Sequence, residues 1–297
     1  MFFYDANGSK LFEEITKLPE YYLTRTEIPL IKKVAQTIRD QLHDVDIIEF
    51  GSGDCSKISI LLDTIPEVYR KTICYIPFDV SYNAVEKSST ILLQKYPGIS
   101  IRGIVADFMT QLDVIPKEKK KIICFLGSTI GNFSLKESQQ FLGQLQDIMK
   151  AEDILLLGFD MIKSKKILEH AYNDSKNITE KFNKNILNVV NEHIKTDFDP
   201  ETFEHIAFYN ERLTRIEMHL KAMKDIEIIS PYLSANISIK KGETIHTENS
   251  YKFSEEQIKN LAQRADLQIQ YMYMDKNKWF SLVQLGKNEE NSNERHQ

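Results

Sequence analysis

Ile47-Ile48-Glu49-Phe50-Gly51-Ser52-Gly53-Asp54 is the stretch that decides the fold. The residues from Asp46 to Phe50 form a short apolar run, the pattern of a buried strand. Gly51 and Gly53 follow at once. A strand that turns tightly against a ligand needs residues without a Cβ, because they let the backbone bend and approach closely. Beyond Asp54-Cys55-Ser56-Lys57, the residues Ile58, Ile60, Leu61, Leu62 and Ile65 recur at helical spacing. The stretch reads strand, glycine turn, helix. It is not the dinucleotide fingerprint, which requires a third glycine where this chain has Ser56.

The same rhythm extends to both sides. Upstream, Thr26 is placed to cap a helix from Glu27 to about Leu42, with Ile28, Ile31, Val34, Ala35 and Ile38 on one face. Downstream, strand patterns at 72–79, 99–105, 122–126 and 154–159 alternate with helical patterns at 56–65, 82–95 and 134–149. This alternation predicts an α/β fold, a parallel sheet with helices on both faces. The strand ends carry Asp79, Asp107, Ser128, Thr129, Asn132 and Asp160. Ligands of open parallel sheets bind off those carboxyl ends.

Past residue 160 the rhythm changes. Residues 163–195 read as two helices and 203–250 as strands, with alternation in Arg215 to Leu220. A helix at 254–266, capped by Ser254, and strands at 268–273 and 279–285 then return to the sheet. The expected organisation is a sheet domain over 25–162, completed by 252–286, with an inserted α+β domain over 163–251. Residues 1–24, with tyrosines at 4, 21 and 22, are expected to form a lid, and the polar tail 287–297 to be disordered.

Composition excludes several classes. Hydrophobic residues are 42% and charged residues 27% of the 297, values of a globular protein. A net charge of −5 argues against a non-specific nucleic-acid binder, which carries a basic face. No apolar run approaches the roughly 20 residues that span a bilayer. The N-terminus lacks a signal-peptide pattern. Cys55, Cys74 and Cys124 have no metal-ligand spacing, so no metal is expected. The expectation is a cytoplasmic, monomeric protein without membrane or nucleic-acid partners.

Glu49 followed by Gly51-Ser52-Gly53 is similar to the opening motif of class I methyltransferases that bind S-adenosylmethionine. Tyr4-Asp5 to Glu27, Leu126-Gly127-Ser128-Thr129-Ile130-Gly131-Asn132, Phe203-Glu204-His205, Arg215 to Met218 and Thr247 to Lys252 narrow the likeness. Together they resemble the histidine Nα-methyltransferases of ergothioneine biosynthesis, over about residues 4–285. The resemblance implies a Rossmann-like methyltransferase sheet with an inserted substrate domain. It also implies the reaction: trimethylation of the α-amine of L-histidine to hercynine, with S-adenosylmethionine as methyl donor. For the cofactor it implies Gly51 close to the methionine part, Lys57 on its carboxylate, Asp79 on the ribose hydroxyls, and Asp107 with Phe108 on the adenine. For the amino acid it implies Tyr21, Asn132 and Tyr172 at the α-carboxylate and α-amine with Tyr4 nearby, and Glu248 and Ser250 on the imidazole with Met218 beside it. Glu248 and Ser250 lie two apart on a predicted strand, so both point to one face. No histidine matches a dedicated base, and proton loss is expected through water held by Tyr4 or Asn132. The rival readings are a same-fold enzyme for another amino acid or a tryptophan derivative, a silent binding module, and a protein or nucleic-acid methyltransferase. The acidic Glu248, the retained glycines with Asp79 and Asp107, and the lack of a basic groove weigh against each in turn.

Overall fold

The computed structural model describes residues 3, 5–232 and 234–288. The chain divides into two compact units, Leu23–Ile162 with Lys252–Gln297, and Met1–Tyr22 with Lys163–Tyr251.

The first unit is built on one sheet. Its strands β1 (Val45–Phe50), β2 (Cys74–Asp79), β3 (Ser100–Ile101), β4 (Ile104–Val105), β5 (Lys120–Phe125) and β6 (Ile154–Asp160) all run parallel. The chain then builds β7 (Phe203–Asn210), β8 (Arg215–Ala222), β9 (Ile226–Ile228), β10 (Ile237–Ile239) and β11 (Thr244–Tyr251) in the other unit. It returns with β12 (Leu267–Met274) and β13 (Phe280–Lys287), an antiparallel pair added beside β6. The strand order is β12-β13-β6-β5-β1-β2-β3, with β4 also on β2. Every residue of β1 is buried, as expected of a central strand covered on both faces. The core on one side joins Ile47, Tyr75 and Ile122 to Val34 and Ala35 of the helix Tyr22–Thr37, to Ile38 just beyond it, and to Leu61 and Leu62 of the helix Ser56–Leu62. Ser254 and Gln257 form the capping box of the helix Glu255–Arg264.

Several local expectations are corrected. The second helix starts at Tyr22, not Glu27, so Thr26 lies inside it and its hydroxyl donates back to the Leu23 carbonyl at 2.8 Å. The strand expected over 99–105 breaks into β3 and β4 at Arg102-Gly103. A Cβ at Gly103 would lie 2.4 Å from Val85 Cγ1, so the chain there passes too close to the neighbouring helix for any side chain. Lys287, assigned to the tail, belongs to β13, and its ammonium donates to the Gln146 and Met149 carbonyls. The tail beyond residue 288 lies outside the described residues.

The second unit packs helices on a small antiparallel sheet of order β11-β8-β7, beside the β10-β9 pair. The helix Lys165–Tyr172 satisfies part of the open edge of β7: Glu169 accepts the Tyr209 N–H and Asn173 donates to the Ala207 carbonyl. The N-terminal segment docks on the helix Ile178–Ile194. Phe3 stacks on Phe182 at 5.0 Å, and Asp5 caps the helix Ala6–Ile15 while accepting from Asn185 at 2.8 Å.

Candidate functional site

In the sheet unit, the residues assigned to the cofactor gather at the carboxyl ends of adjacent parallel strands. β1 neighbours β2 on one side and β5 on the other, so consecutive crossovers leave in opposite directions from β1. That reversal opens the crevice where such sheets take ligands. Gly51 follows β1 with φ +73° and Gly53 with φ +45°, conformations that a Cβ would strain. A Cβ built on Gly51 meets nothing within 4 Å, so the turn faces open space. Cys55 and Ser128 also take left-handed backbone, at φ 61° and 59°, beside the same strand ends. Such strain concentrates at functional sites.

Asp79 ends β2 and accepts the Ser81 N–H at 2.9 Å. Burial raises its pKa, against the backbone N–H groups of Ser81, Ser52 and Val80 that favour the carboxylate. The glycine turn and the acid therefore hold each other. Asp107 follows β4 and accepts the Met109 N–H at 2.9 Å. Phe108 packs against Phe50, Phe125 and Phe141 at 5.5–5.6 Å, so one side of that corner is a fixed aromatic wall. Asn132 is exposed on the short turn Thr129–Asn132 after β5.

Lys57 has a partner that the sequence did not disclose. Its Nζ lies 2.7 Å from Glu27 Oε2, and the Glu27 side chain is 0% exposed. Glu27 also accepts the Gly127 N–H at 2.6 Å. Two glycines make room for this carboxylate and ammonium. A Cβ on Gly158 would come 2.8 Å from Glu27 Oε1, and one on Gly127 would come 2.8 Å from Lys57 Nζ. Glu27 sat inside the quoted N-terminal segment, but nothing in its spacing marked it as buried. In the sequence Glu49 is only the acid that ends β1. It is buried, accepts the Tyr75 hydroxyl at 2.6 Å, and burial pushes its pKa up to about 8.

Apart from Asn132, the described residues assigned to the amino acid lie in the other unit. Glu248 and Ser250 share one face of β11, and Glu248 lies directly opposite Met218 of β8. The register shifts between His246 and Glu248, leaving Thr247 as a bulge whose hydroxyl donates to the Met218 carbonyl at 2.9 Å. Bulges re-aim side chains next to active sites, and this one sets where Glu248 points. Ser250 is buried and accepts the Tyr172 hydroxyl at 2.8 Å. Tyr21 is buried, with its ring edge-on to Phe12. Tyr4 lies outside the described residues.

Glu217, His219 and His246 place ligand atoms within 4.8 Å of one another, the group among the described residues nearest to a metal-binding set. The His219 and His246 rings stack at 4.5 Å with only 10° between planes. Ring-nitrogen lone pairs lie in the ring plane, so stacked rings aim them in parallel rather than at one ion. Arg215 already occupies the Glu217 carboxylate at 2.8 Å.

A family model described as histidine-specific, S-adenosylmethionine-dependent methyltransferase matches residues 1–287. The histidine N-alpha-methyltransferase of Mycolicibacterium smegmatis is 38% identical over 86% of this chain and 79% of its own length. Ergothioneine biosynthesis protein 1 of Schizosaccharomyces pombe is 30% identical over 91% of this chain but 36% of its own length. Among solved structures, the CcbJ methyltransferase of Streptomyces caelestis superposes with TM-score 0.51 at 10% identity, over 87% of this chain and 95% of that one, a likeness of fold. A glycine turn at the switch point of a parallel sheet, carboxylates at its strand ends and a match along almost the whole chain lead to one assignment: the chain belongs to the histidine-specific, S-adenosylmethionine-dependent methyltransferase family.

Proposed function

We propose that this chain transfers methyl groups from S-adenosylmethionine to the α-amine of L-histidine until hercynine is formed, the first step of ergothioneine biosynthesis. The observation that carries the substrate assignment is the face of β11 that presents Glu248 and Ser250 together, opposite Met218. A carboxylate and a hydroxyl side by side suit the two nitrogens of an imidazole: the carboxylate accepts the ring N–H, and the hydroxyl can donate to the other nitrogen. A tryptophan side chain offers one N–H and no acceptor, so it would leave half of this pair unused.

S-adenosylmethionine, when bound, supplies a methyl group already activated on sulfur. The open space above Gly51 and the aromatic wall at Phe108 fit such a ligand. Asp79 would accept from the ribose hydroxyls, Asp107 from the adenine amine, and Lys57 would meet the methionyl carboxylate. Tyr21, Tyr172 and Asn132 would hold the α-carboxylate and orient the α-amine. The residues' work is alignment and exclusion of water, and near-attack positioning of this kind can supply roughly 7–11 kcal/mol. The amine must lose a proton before each attack, and water held by Asn132 or Tyr4 is the proposed route. We further propose that the protein acts as a cytoplasmic monomer and needs no metal. No helix among the described residues is long and apolar enough to cross a membrane.

Thermal unfolding with S-adenosylhomocysteine plus each amino acid in turn tests the assignment, because a ligand that binds only the folded state raises its midpoint. Histidine is expected to give the largest further rise. A larger rise with tryptophan would overturn the substrate.

A further inference from the structure

His205 lies on β7, within Phe203-Glu204-His205, a motif that neither the cofactor nor the substrate assignment uses. The helix Lys165–Tyr172 ends over this strand, and the carbonyls of a last helical turn lack helical donors. His205 Nε2 lies 2.9 Å from the Tyr172 carbonyl. Its Nδ1 lies 2.9 Å from the amide nitrogen of Asn183, which is fully buried. The same amide nitrogen donates to the His219 carbonyl at 3.1 Å. An amide nitrogen is a donor only, and the two acceptors it faces fix its orientation. Nδ1 therefore accepts, and Nε2 carries the hydrogen that it donates to Tyr172. Burial lowers the His205 pKa, which keeps the ring neutral and suits this single-proton arrangement. Beyond the carbonyl, the Tyr172 hydroxyl donates to Ser250 Oγ at 2.8 Å.

We propose that His205 is a positioning residue for substrate recognition: its ring, set by Asn183, pins the helix end that carries Tyr172, and through the Tyr172 hydroxyl it sets Ser250. One side chain then fixes the two groups assigned to opposite ends of the amino acid. The proposal rests on the substrate roles given above to Tyr172 and Ser250.

Steady-state kinetics and calorimetry with S-adenosylhomocysteine test it. His205→Leu removes donor and acceptor together and is expected to raise the histidine KM about tenfold, the loss of roughly one to two buried hydrogen bonds. Cofactor affinity is expected to stay within about twofold, since none of the residues assigned to the cofactor is substituted. His205→Gln, which can donate at its nitrogen and accept at its oxygen, is expected to recover most of the loss. If His205→Leu does not fold, His205→Asn, polar but too short to span both partners, carries the same test. Tyr172→Phe and Ser250→Ala separate the two layers. If neither moves the histidine KM, the substrate roles fail. If both raise it while His205→Leu leaves it unchanged, the positioning role is overturned. It is also overturned if histidine and cofactor affinities fall together, or if His205→Gln is as impaired as His205→Leu.

Discussion

Replacing Glu248 by Ala removes the proposed charged partner of the imidazole. Glu248 is half-buried, so it is neither a solvated surface charge nor a core residue. Its backbone stays in register with Met218, and the bulge at Thr247 is held by the threonine's own hydroxyl. The substitution should therefore leave β11 in place. A hydrogen bond to a charged group contributes on the order of 1.5–3 kcal/mol. Its loss lowers kcat/KM for histidine by roughly tenfold to over a hundredfold. A solvent-facing glutamate with no substrate role would move the same quantity by less than about 0.5 kcal/mol. The assay is initial-rate methylation of histidine, run beside calorimetric titration with S-adenosylhomocysteine. The expected pattern is a large loss in kcat/KM with cofactor affinity unchanged. Near-wild-type activity on histidine would refute the substrate assignment while leaving the methyltransferase assignment standing.

Three further outcomes follow from the geometry. Asp79→Ala is expected to weaken S-adenosylmethionine binding by about tenfold or more, through loss of a charged acceptor; unchanged affinity in calorimetry would remove Asp79 from the site. Lys252 and Asp160 form an ion pair at 2.8 Å with both side chains 0% exposed. Lys252→Met leaves that carboxylate buried without its ammonium and is expected to destabilise the fold by about 3–5 kcal/mol in denaturant titration, whereas Lys252→Met with Asp160→Asn should cost less. Burial pushes the Glu49 pKa up to about 8, from an ordinary 4.5. Between these values the unfolded chain gives up a proton that the folded protein keeps, so this group makes stability fall as pH rises from 4.5 to 8. Glu49→Gln, whose amide oxygen can still accept the Tyr75 hydroxyl, is expected to flatten that part of the stability profile, and an unaltered profile would show that Glu49 is ionised in the folded state.

The sheet was legible because its rules are local. Gly51 and Gly53 after an apolar run announce a turn, and alternating strand and helix periods announce parallel pairing. The same logic missed Glu27. A polar residue two positions before Pro29 reads as the start of a helix, and only the tertiary structure brings up Gly158 to make room for its carboxylate and Gly127 to donate an N–H to it. Glu49 looked like the end of a strand, and its partner Tyr75 lies 26 residues away on β2. In the other unit, the β11 face was legible from the two-residue spacing of Glu248 and Ser250. The bulge at Thr247 was not, because nothing in Ile245-His246-Thr247-Glu248 departs from an ordinary strand. His205 stood in a quoted motif, but its role depends on a helix end and on Asn183, contacts that no sequence period encodes.

The most direct test of the central claim is to incubate the purified protein with S-adenosylmethionine and an equimolar mixture of the amino acids, and to identify the methylated products by mass spectrometry. The account predicts histidine carrying three methyl groups on its α-nitrogen as the dominant product. Methylation at a ring nitrogen, preferential methylation of tryptophan, or histidine left unmodified while S-adenosylmethionine is consumed on another acceptor would contradict it.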